Sequence, residues 1–529
     1  MGKAGSGFAL ARFGRGRLMR LDLLEALKQQ SNQQRLIGLD GAELVDRAEQ
    51  RFQMLTQLDQ ANPTVLLAEP EPIDFLAGFV AAVAAECPVF LGNPQWAEAE
   101  WKSVLSLVQP ACVWISGQHD SPLLVSHQKP QFLTGTMGSS SSPGIIGIPT
   151  GGSSGQIRFA LHTWETLTAS VAGFRAYFQI DCSKESTTSA RINSCCVLPL
   201  FHVSGLMQFM RSFCSGGKFA LFASKDLAQQ IQHIDPAEFF ISLVPTQLQR
   251  LLQNPANLDW LSQFQMIMLG GAPAWSDLLE TARSHQLRIA LTYGMTETAS
   301  QVVALKPEEF LQGRLPQRGN CFASGCGQVL PHAQLTVRDP QGNPVEPGQS
   351  GIITIRAASL CRGYLPAQPD SQLEQTRQLA TDDLGYFDSA GYLHLIGRNS
   401  QKIITGGENV FPAEVEAAIR QTGLVQDVCV IGLPDSFEGE TASHRAWGEV
   451  VTALIVPVSG PIPDFSISTL EAALQLKLSR YKQPKKWLIV ERIPRNLQGK
   501  LNYEQLRQIA LHPTMGAVNR GRSTDDECS

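Results

Sequence analysis

The organisation of the chain is decided at one glycine-rich stretch, Gly397-Arg-Asn-Ser-Gln-Lys-Ile-Ile-Thr-Gly-Gly-Glu-Asn409. Before it, from about residue 20 to 300, short apolar runs alternate with helical patterns, which is typical of α/β layering. After it, Pro412 stands at the first position expected for a helix, and the following segments predict a small α+β unit. The change of pattern predicts a domain boundary beside Gly397.

The alternating region predicts strands that are buried on both faces of a sheet. Residues 325 to 395 follow a different pattern, because runs such as Ala333–Arg338 and Gly351–Arg356 flank a turn and predict a β-rich subdomain. We therefore predict the fold class α/β, with a large N-terminal α/β domain, a β-rich subdomain and a small C-terminal α+β domain. The buried strands expected in the first part are Thr64–Leu67, Cys112–Ile115, Cys196–Leu200 and Met266–Leu269.

These patterns divide the chain into four parts. Residues 1–20 form a basic extension, and disorder is one interpretation of it. Met19 is an alternative initiator to Met1. Residues 21–397 are the large domain and 398–510 the small one. Residues 511–529 are polar and are expected to be disordered.

Composition excludes several classes of protein. A chain of 529 residues is too long for one ordinary core, and its net charge of −5 gives no electrostatic reason to expect nucleic acid. No apolar run reaches the roughly 18 residues that a membrane span needs. The eleven cysteines show no metal-ligand spacing, so we expect reduced thiols and a cytoplasmic protein.

A first candidate for chemistry is the loop Thr150-Gly-Gly-Ser-Ser-Gly-Gln-Ile-Arg158. Glycines let the backbone approach a phosphate closely, and hydroxyls and amides donate hydrogen bonds to it. The loop has no G-K-[ST] at the distance that a P-loop requires. A plain glycine-serine linker is the alternative interpretation.

A second candidate is Tyr293-Gly-Met-Thr-Glu-Thr298. A tyrosine ring can stack on a base, a threonine hydroxyl can hold a phosphate, and a glutamate can bind magnesium. Thr296 and Glu297 are equally compatible with an ordinary helix N-terminus. Asp383, in the predicted loop Thr381–Gly385, can accept hydrogen bonds from ribose hydroxyls or form an Asx turn.

Three further residues have both an ordinary and a functional interpretation. Lys500 lies in a Gln-Gly-Lys turn where most lysines only keep a loop soluble, and Arg398 resembles a solvated surface arginine. His202 is expected at the end of a buried strand, where a core histidine and a ligand-binding histidine both occur. The combination of all these segments in one order is not explained by the ordinary interpretations.

The ordered set of segments resembles the adenylate-forming superfamily, which includes acyl- and aryl-CoA synthetases, over about residues 60 to 510. Four segments resemble the 2-succinylbenzoate–CoA ligases within it. These segments are Leu198–Leu206, Ser242–Leu252, Leu269–Pro273 and Tyr293–Val302. The resemblance implies an ATP- and Mg²⁺-dependent, AMP-forming acid–thiol ligase that uses coenzyme A and belongs to menaquinone or phylloquinone synthesis.

The resemblance also implies roles for individual residues. Lys500 would bridge the attacking carboxylate and the α-phosphate, Thr296 would hold that phosphate, Glu297 the magnesium ion and Asp383 the ribose. The small domain would be mobile and would rotate for thioester formation, presenting Gly406, Gly407 and Glu408. Catalytic roles fall on Lys500, Thr296, Glu297 and His202, and acid binding on His202, Ser204 and Gly271. Nucleotide or coenzyme binding falls on Thr150, Gly151, Gly152, Ser153, Ser154, Gly155, Arg158, Gly271, Ala272, Tyr293, Gly294, Met295, Asp383, Arg398, Gly406, Gly407 and Glu408.

The chain departs from the superfamily pattern at two places. The family's loop usually ends in Pro-Lys, whereas this chain has Ile157-Arg158, and arginine keeps the charge. The hinge position after Arg398 is commonly aspartate or lysine, whereas this chain has Ser400. We expect phosphate binding to be retained with altered geometry.

The acid itself stays open at this stage. Another aryl- or fatty-acyl–CoA ligase is the first alternative, and a non-catalytic nucleotide-binding protein of the same fold is the second. His202, Ser204 and Gln208 favour an acid with a polar end, such as a dicarboxylate. The sequence does not distinguish a monomer from a homo-oligomer.

Overall fold

A computed structural model describes residues 22–58, 62–115, 144–151, 157–180, 191–223, 227–313, 324–367, 373–405, 408–434, 449–458, 466–495 and 501–511. The predicted basic extension and residues 512–529 of the predicted tail lie outside these ranges, whereas Leu511 is the last residue of a helix. None of the helices in the described part is long and apolar enough to cross a membrane.

The first two thirds of the chain supply most of the helices. These are α1 (Asp22–Asn32), α2 (Gly41–Gln57), α3 (Pro72–Ala84), α4 (Glu98–Val108), α5 (Trp164–Tyr177), α6 (Val203–Ser215), α7 (Leu227–Gln230), α8 (Pro245–Leu252), α9 (Ala256–Gln263), α10 (Ser276–Ser284), α11 (Pro307–Leu311) and α12 (Leu373–Thr376). The last part adds α13 (Pro412–Arg420), α14 (Ile467–Gln475) and α15 (Tyr503–Leu511).

The strands belong to four sheets. They are β1 (Leu36–Ile37), β2 (Val65–Ala68), β3 (Val89–Leu91), β4 (Cys112–Ile115), β5 (Ile146–Gly151), β6 (Ile157–His162), β7 (Ser194–Cys196), β8 (Phe219–Leu221), β9 (Phe240–Leu243), β10 (Met266–Leu269), β11 (Ile289–Met295), β12 (Ser300–Ala304), β13 (Ser324–Val329), β14 (Ala333–Arg338), β15 (Gly351–Ala357), β16 (Tyr364–Leu365), β17 (Leu379–Phe387), β18 (Leu393–Arg398), β19 (Ile403–Thr405), β20 (Glu408–Val410), β21 (Val425–Pro434), β22 (Glu449–Pro457) and β23 (Lys486–Ile489).

The largest sheet has twelve strands in the order β1-β8-β7-β9-β10-β11-β12-β13-β18-β17-β15-β14. Its first half, as far as β11, is parallel, and from β12 onward every pairing is antiparallel. The change occurs at the end of β11, where the chain reverses through a single 3₁₀ turn into β12. In parallel α/β sheets ligands bind beyond the carboxyl ends of the strands, and β11 ends at this reversal.

A second sheet has six strands in the order β16-β6-β5-β3-β2-β4. Residues of α3, α5 and α6 share one buried apolar cluster with strands of both large sheets, so the helices are packed between them. β5 and β6 form an antiparallel hairpin, and the short β16 adds to the free edge of β6. This edge carries several of the site residues described below.

The small C-terminal unit has its own core. β21, β22 and β23 form a three-stranded sheet, and β19 pairs with β20 as a separate hairpin. Pro412 occupies the first turn of α13, whose buried residues Val415, Ala418 and Ile419 pack on that sheet. The predicted fold class, α/β with a β-rich part and a small α+β unit, is confirmed.

Two local predictions are wrong. The strand expected over Cys196–Leu200 ends at Cys196, because Pro199 lacks the N–H that a continuing strand would donate and the chain turns into α6. The loop expected over Thr381–Gly385 lies inside β17, where Asp383 is paired with Arg398 across the ladder. Asp383 is therefore held by a sheet and not by an Asx turn.

Candidate active site

The β5–β6 hairpin brings the two ends of the hydroxyl-rich loop together. Thr150 and Arg158 are direct cross-strand partners, and Gly151 pairs with Ile157. Gly152, Ser153, Ser154 and Gly155, which complete the predicted phosphate loop, lie outside the described residues. The hairpin therefore fixes the positions of a threonine hydroxyl and a guanidinium on either side of the loop.

Glu297 lies beside this hairpin. It belongs to the 3₁₀ turn Thr296–Thr298, and its Oε1 lies 3.5 Å from Oγ1 of Thr150 and 3.2 Å from the hydroxyl of Tyr364. The backbone N–H of Cys361 donates to the carbonyl of Glu297 at 2.8 Å. The carboxylate is thus surrounded by hydroxyl groups from two other segments.

The backbone around Glu297 is unusual. Ala299 and Ser300, which follow the 3₁₀ turn, have φ values of +50° and +87°, in the left-handed region that side chains rarely adopt. Gly294, on the facing strand, comes so close that a Cβ there would lie 2.1 Å from the carbonyl oxygen of Ser300. Only glycine fits this approach. Such backbone strain persists where the surrounding structure holds it in place.

Buried side chains hold the turn from three directions. His162 Nε2 lies 2.8 Å from the carbonyl oxygen of Thr296, and the hydroxyl of Ser170 donates to the carbonyl of Ala299 at 2.6 Å. Arg211 donates to the hydroxyl of Ser300 at 3.0 Å. These groups come from β6, α5 and α6, so the turn is fixed by both sheets and the helices between them.

Arg211 is a buried cation. Its guanidinium also donates to Oε1 of Gln301 at 2.6 Å and lies 4.8 Å from the ring centre of Phe174. Burial lowers the pKa of Arg211 to about 10, so the group is charged at neutral pH. In the described part of the chain no carboxylate forms an ion pair with it. Its Nε is buried without a hydrogen-bond partner among the described residues.

Tyr364 links Glu297 to Arg158. Tyr364 stands opposite Ala160 in the β16–β6 pairing. Arg158 is the diagonal neighbour on the same face, and its guanidinium carbon lies 5.5 Å from the centre of the Tyr364 ring. Burial, and the nearby Glu297 carboxylate to a smaller extent, raise the pKa of Tyr364, so it stays a hydrogen-bond donor. Tyr364 therefore lies between the Glu297 carboxylate and the Arg158 guanidinium.

Asp383 is the second carboxylate of the site. Its Oδ2 accepts from the hydroxyl of Tyr293 at 2.8 Å, and its Oδ1 lies 3.4 Å from Nε of Arg398. Asp383 is largely buried, whereas Arg398 is 57% exposed. Tyr293 is at the end of β11, so β11 positions Asp383 through its tyrosine and Glu297 through the turn that follows Met295.

Gly271 and Ala272 follow β10, the strand next to β11. Gly271 has φ +83°, and the preceding Gly270 leaves no room for a side chain, because a Cβ would lie 2.2 Å from Oγ1 of Thr292. The carboxyl ends of β10 and β11 therefore place this loop beside Tyr293, as the resemblance implies for a nucleotide site.

His202 immediately precedes α6 and stacks at a tilt on Phe201, with ring centres 4.3 Å apart. Ser204 is in the first turn of α6, and its carbonyl accepts from the side chain of Gln208 at 3.0 Å. The sequence predicted His202 at the end of a buried strand; β7 ends at Cys196, and His202 lies directly before the helix that also carries Arg211.

The small unit meets the large one near Asp382. The backbone N–H of Ser400 donates to Oδ1 of Asp382 at 3.0 Å, and its hydroxyl donates to Oδ2.

The other predicted residues of the small unit are only partly described. Glu408 is exposed on the β19–β20 hairpin, opposite Thr405. Arg495 and Leu501 pair as a short bridge. Gly406, Gly407 and Lys500 lie outside the described residues.

A second contact joins the two units through an aromatic ring. The guanidinium carbon of Arg420, on α13, lies 4.8 Å from the ring centre of Trp275, which precedes α10. The same guanidinium donates to Asp427 at 2.8 Å and to the carbonyl of Val428 at 2.9 Å. Arg420 is thus held by the small unit while it stacks on the large one.

The residues around Glu297 are suited to a magnesium ion that is also bound by the phosphates of a nucleotide. Magnesium prefers oxygen ligands and is commonly held by one or two carboxylates plus substrate phosphates. Glu297 with the Thr150 hydroxyl supplies such oxygens. Among the described residues no cluster of three or more His, Cys, Asp or Glu side chains forms a closed metal cage. Glu297 would therefore hold the ion together with the nucleotide.

Three residues in the site were missed by sequence reasoning. His162, Tyr364 and Arg211 each act through a contact with a segment more than 60 residues away. His162 carries a weak signal, because its position, four residues after Arg158 on β6, puts both side chains on the same face of the strand. The other two carry none that a single sequence reveals.

The fold is that of a two-part α/β protein whose main sheet changes from parallel to antiparallel at β11, where Glu297, Tyr364 and Thr150 come together. Residues 145–365 match the family model described as AMP-binding enzyme, and residues 414–500 match the model for the AMP-binding enzyme C-terminal domain. The chain belongs to this adenylate-forming superfamily of AMP-binding enzymes.

Curated relatives are named more narrowly. The 2-succinylbenzoate–CoA ligase of Oceanobacillus iheyensis is 33% identical over 306 residues, which are 58% of each chain. The ligase of the same name from Geobacillus sp. is 32% identical over 324 residues, 61% of each chain. The chain thus aligns with about three fifths of the length of these relatives.

Solved structures share the fold. The o-succinylbenzoate CoA synthetase of Bacillus subtilis, in complex with the acyl-adenylate intermediate, has a TM-score of 0.70 at 24% identity, covering 91% of this chain and 97% of its own. ATP-bound MatB from Rhodopseudomonas palustris has a TM-score of 0.70 at 22% identity, covering 88% and 93%.

We expect a pH dependence of stability from His162. Burial lowers its pKa to about 4, against a smaller opposite effect of the Thr296 carbonyl, and burial lowers the pKa of His332 to about 4 as well. Between about pH 6.5 and 4 the unfolded chain binds protons that the folded chain does not, so folding stability falls with falling pH, by about 1.4 kcal/mol per pH unit for each histidine.

His162→Gln should remove about half of this slope in thermal or urea unfolding followed between pH 4 and 7. His332→Gln is the matched control, because it should flatten the slope equally without disturbing the Thr296 turn. An unchanged slope in both variants would show that neither histidine is buried in its neutral form.

Proposed function

We propose that the protein is an ATP-dependent carboxylate–CoA ligase that converts 2-succinylbenzoate, ATP and coenzyme A into 2-succinylbenzoyl-CoA, AMP and pyrophosphate. The observation that carries the proposal is a pair of carboxylates that each accept from a tyrosine, Glu297 in the strained turn after β11 and Asp383 beside Tyr293 of β11. The names of the aligned relatives support the choice of acid.

The first half of the reaction joins the acid to the nucleotide. An oxygen of the acid carboxylate attacks the α-phosphorus of ATP, the bond to the β-phosphate oxygen breaks, and pyrophosphate leaves. Thr150 and Arg158 would hold the phosphates, Thr296 the α-phosphate and Asp383 the ribose hydroxyls. When bound, Mg²⁺ at Glu297 would neutralise phosphate charge. Lys500 would place a point cation where negative charge grows.

The second half transfers the acyl group. The thiol sulfur of coenzyme A attacks the acyl carbon, the bond to AMP breaks, and the thiol proton goes to solvent. We propose that the small domain, residues 398–510, rotates between the two halves and presents Gly406, Gly407 and Glu408. Ser400 would be the hinge, and its two hydrogen bonds to Asp382 would hold one of the two orientations.

Arg211 supports a dicarboxylic acid over a fatty acid. A fatty acid requires an apolar tunnel, whereas a buried guanidinium with an unpartnered Nε beside the turn favours an anion. The second carboxylate of 2-succinylbenzoate supplies one, and the first stays free to react. His202 and Ser204, at the start of the helix that carries Arg211, would contact the same acid.

The proposal also concerns the cell compartment and the pathway in which the enzyme acts. A ligase that consumes ATP and coenzyme A needs a compartment that supplies both, so we infer a cytoplasmic enzyme of menaquinone or phylloquinone synthesis. Its partners would be the small-molecule acid, ATP and coenzyme A.

A panel of acids tests the proposal. Purified protein is incubated with ATP, Mg²⁺, coenzyme A and one acid at a time, and thioester products are read by mass. We expect 2-succinylbenzoyl-CoA as the main product, with benzoate and fatty acids poorer by at least about tenfold. Preferred turnover of a fatty acid would replace the proposed substrate, and no pyrophosphate release with any acid would favour a non-catalytic binding protein.

Lys500→Ala should separate the two half-reactions. The variant loses the cation that the first half needs, so adenylate formation should fall by about 10²–10³, while thioester formation from pre-made adenylate stays within a few-fold. Pyrophosphate release and thioester formation are measured separately. Lys486→Ala, in the same domain on β23, is the control. An equal loss in both halves would refute the divided role of Lys500.

Arg211→Met should weaken binding of the acid more than binding of the nucleotide. Methionine keeps much of the volume and removes the charge, so the KM for 2-succinylbenzoate should rise by about 10- to 100-fold, whereas the KM for ATP should rise only about two- to threefold, through the lost hydrogen bond to Ser300 in the turn. Arg283→Met is a matched control, because Arg283 also stacks on a phenylalanine, Phe310, at 4.8 Å. An unchanged KM for the acid would remove Arg211 from the acid site.

A further inference from the structure

Tyr364 contacts two site residues at once, Glu297 through its hydroxyl and Arg158 through its ring. We propose that Tyr364 is a positioning residue that holds the Glu297 carboxylate and the Arg158 guanidinium as one unit for Mg²⁺-bound ATP. The inference rests on the proposed function. It adds that the arginine at position 158 and the tyrosine at 364 work as a pair.

The contact with Glu297 selects one carboxylate oxygen. The hydroxyls of Tyr364 and Thr150 both lie against Oε1, at 3.2 Å and 3.5 Å. Within the described residues no such contact involves Oε2. Oε1 is therefore the anchored oxygen, and Oε2 is the one that faces a cation. Hydrogen bonds that orient a metal-binding carboxylate typically contribute about 10- to 100-fold to metal affinity.

The contact with Arg158 depends on the shape of the guanidinium. A planar guanidinium lies over an aromatic ring and keeps its N–H groups in a fixed fork, which a lysine ammonium does not do. Nε of Arg158 is buried without a hydrogen-bond partner among the described residues. A phosphate oxygen would satisfy that group. The arginine that stands where the family usually has a lysine therefore stacks on the Tyr364 ring.

The edge strand β16 makes this arrangement possible. Two residues long, it places Tyr364 opposite Ala160 on β6 and so beside Arg158 on the same face. Tyr364 is 9% exposed, and its ring shields both contacts from water.

The two contacts predict different effects for different substitutions. Tyr364→Phe keeps the ring and loses the hydroxyl, so the Mg²⁺ concentration needed for half-maximal ATP binding should rise about tenfold, with ATP affinity at saturating Mg²⁺ unchanged. Arg158→Lys, which restores the family's usual residue, should weaken ATP binding at saturating Mg²⁺ about three- to fivefold. Tyr364→Leu should show both effects, and adding Arg158→Lys to it should cost little more.

Calorimetric titration of the full chain with ATP, at several Mg²⁺ concentrations and without acid or coenzyme A, measures these quantities apart from turnover. Tyr392→Phe is the matched control, because Tyr392 is equally buried and its hydroxyl donates to Glu309, away from the site. Thermal unfolding confirms that each variant is folded.

The outcomes separate this inference from the proposed function. If the native chain binds no ATP with Mg²⁺, the proposed function fails. If it does bind, the inference is overturned when Tyr364→Phe behaves like Tyr392→Phe, or when Arg158→Lys binds ATP as tightly as the native chain. A threefold or larger loss in Arg158→Lys that persists in full on the Tyr364→Leu background would also refute the pairing.

Discussion

The whole site depends on one strained reversal of the chain between β11 and β12. Two successive residues with positive φ, Ala299 and Ser300, are kept in place by His162, Ser170 and Arg211, which come from three separate elements. A turn of this kind does not persist without such support. Because its supports are buried between the two large sheets, the position of Glu297 is set by the packing of the entire large domain.

The two carboxylates of the site are held in the same way. Each accepts a hydrogen bond from a tyrosine of another segment, Glu297 from Tyr364 and Asp383 from Tyr293, so both are oriented before any ligand arrives. Preorganised charges contribute more to catalysis than charges that must be turned at the moment of reaction. Tyr293 and Glu297 are only four residues apart, so the orientation of one side of the site is mechanically tied to the other.

The sequence predicted the fold well where periodicity and turn residues agree. Cys112–Ile115, Met266–Leu269 and Ala333–Arg338 are strands with the predicted bounds, and Pro412 begins a helix. It failed at Asp383, because a polar run inside a twisted β-sheet has the same local composition as a loop. The site contacts of Tyr364 and Arg211 lie beyond any local pattern, since long-range packing alone brings them to Glu297 and Ser300.

The stacking of Arg420 on Trp275 makes one indole a native optical reporter. The guanidinium belongs to the small unit and the ring to the large one, so any departure of the small unit from this orientation leaves the ring in a more aqueous environment. Indole emission responds to such a change without an added label. Although the chain has eight tryptophans, Trp275 is the one found stacked across this junction in the described part, so a change in its emission would report a separation of the two units.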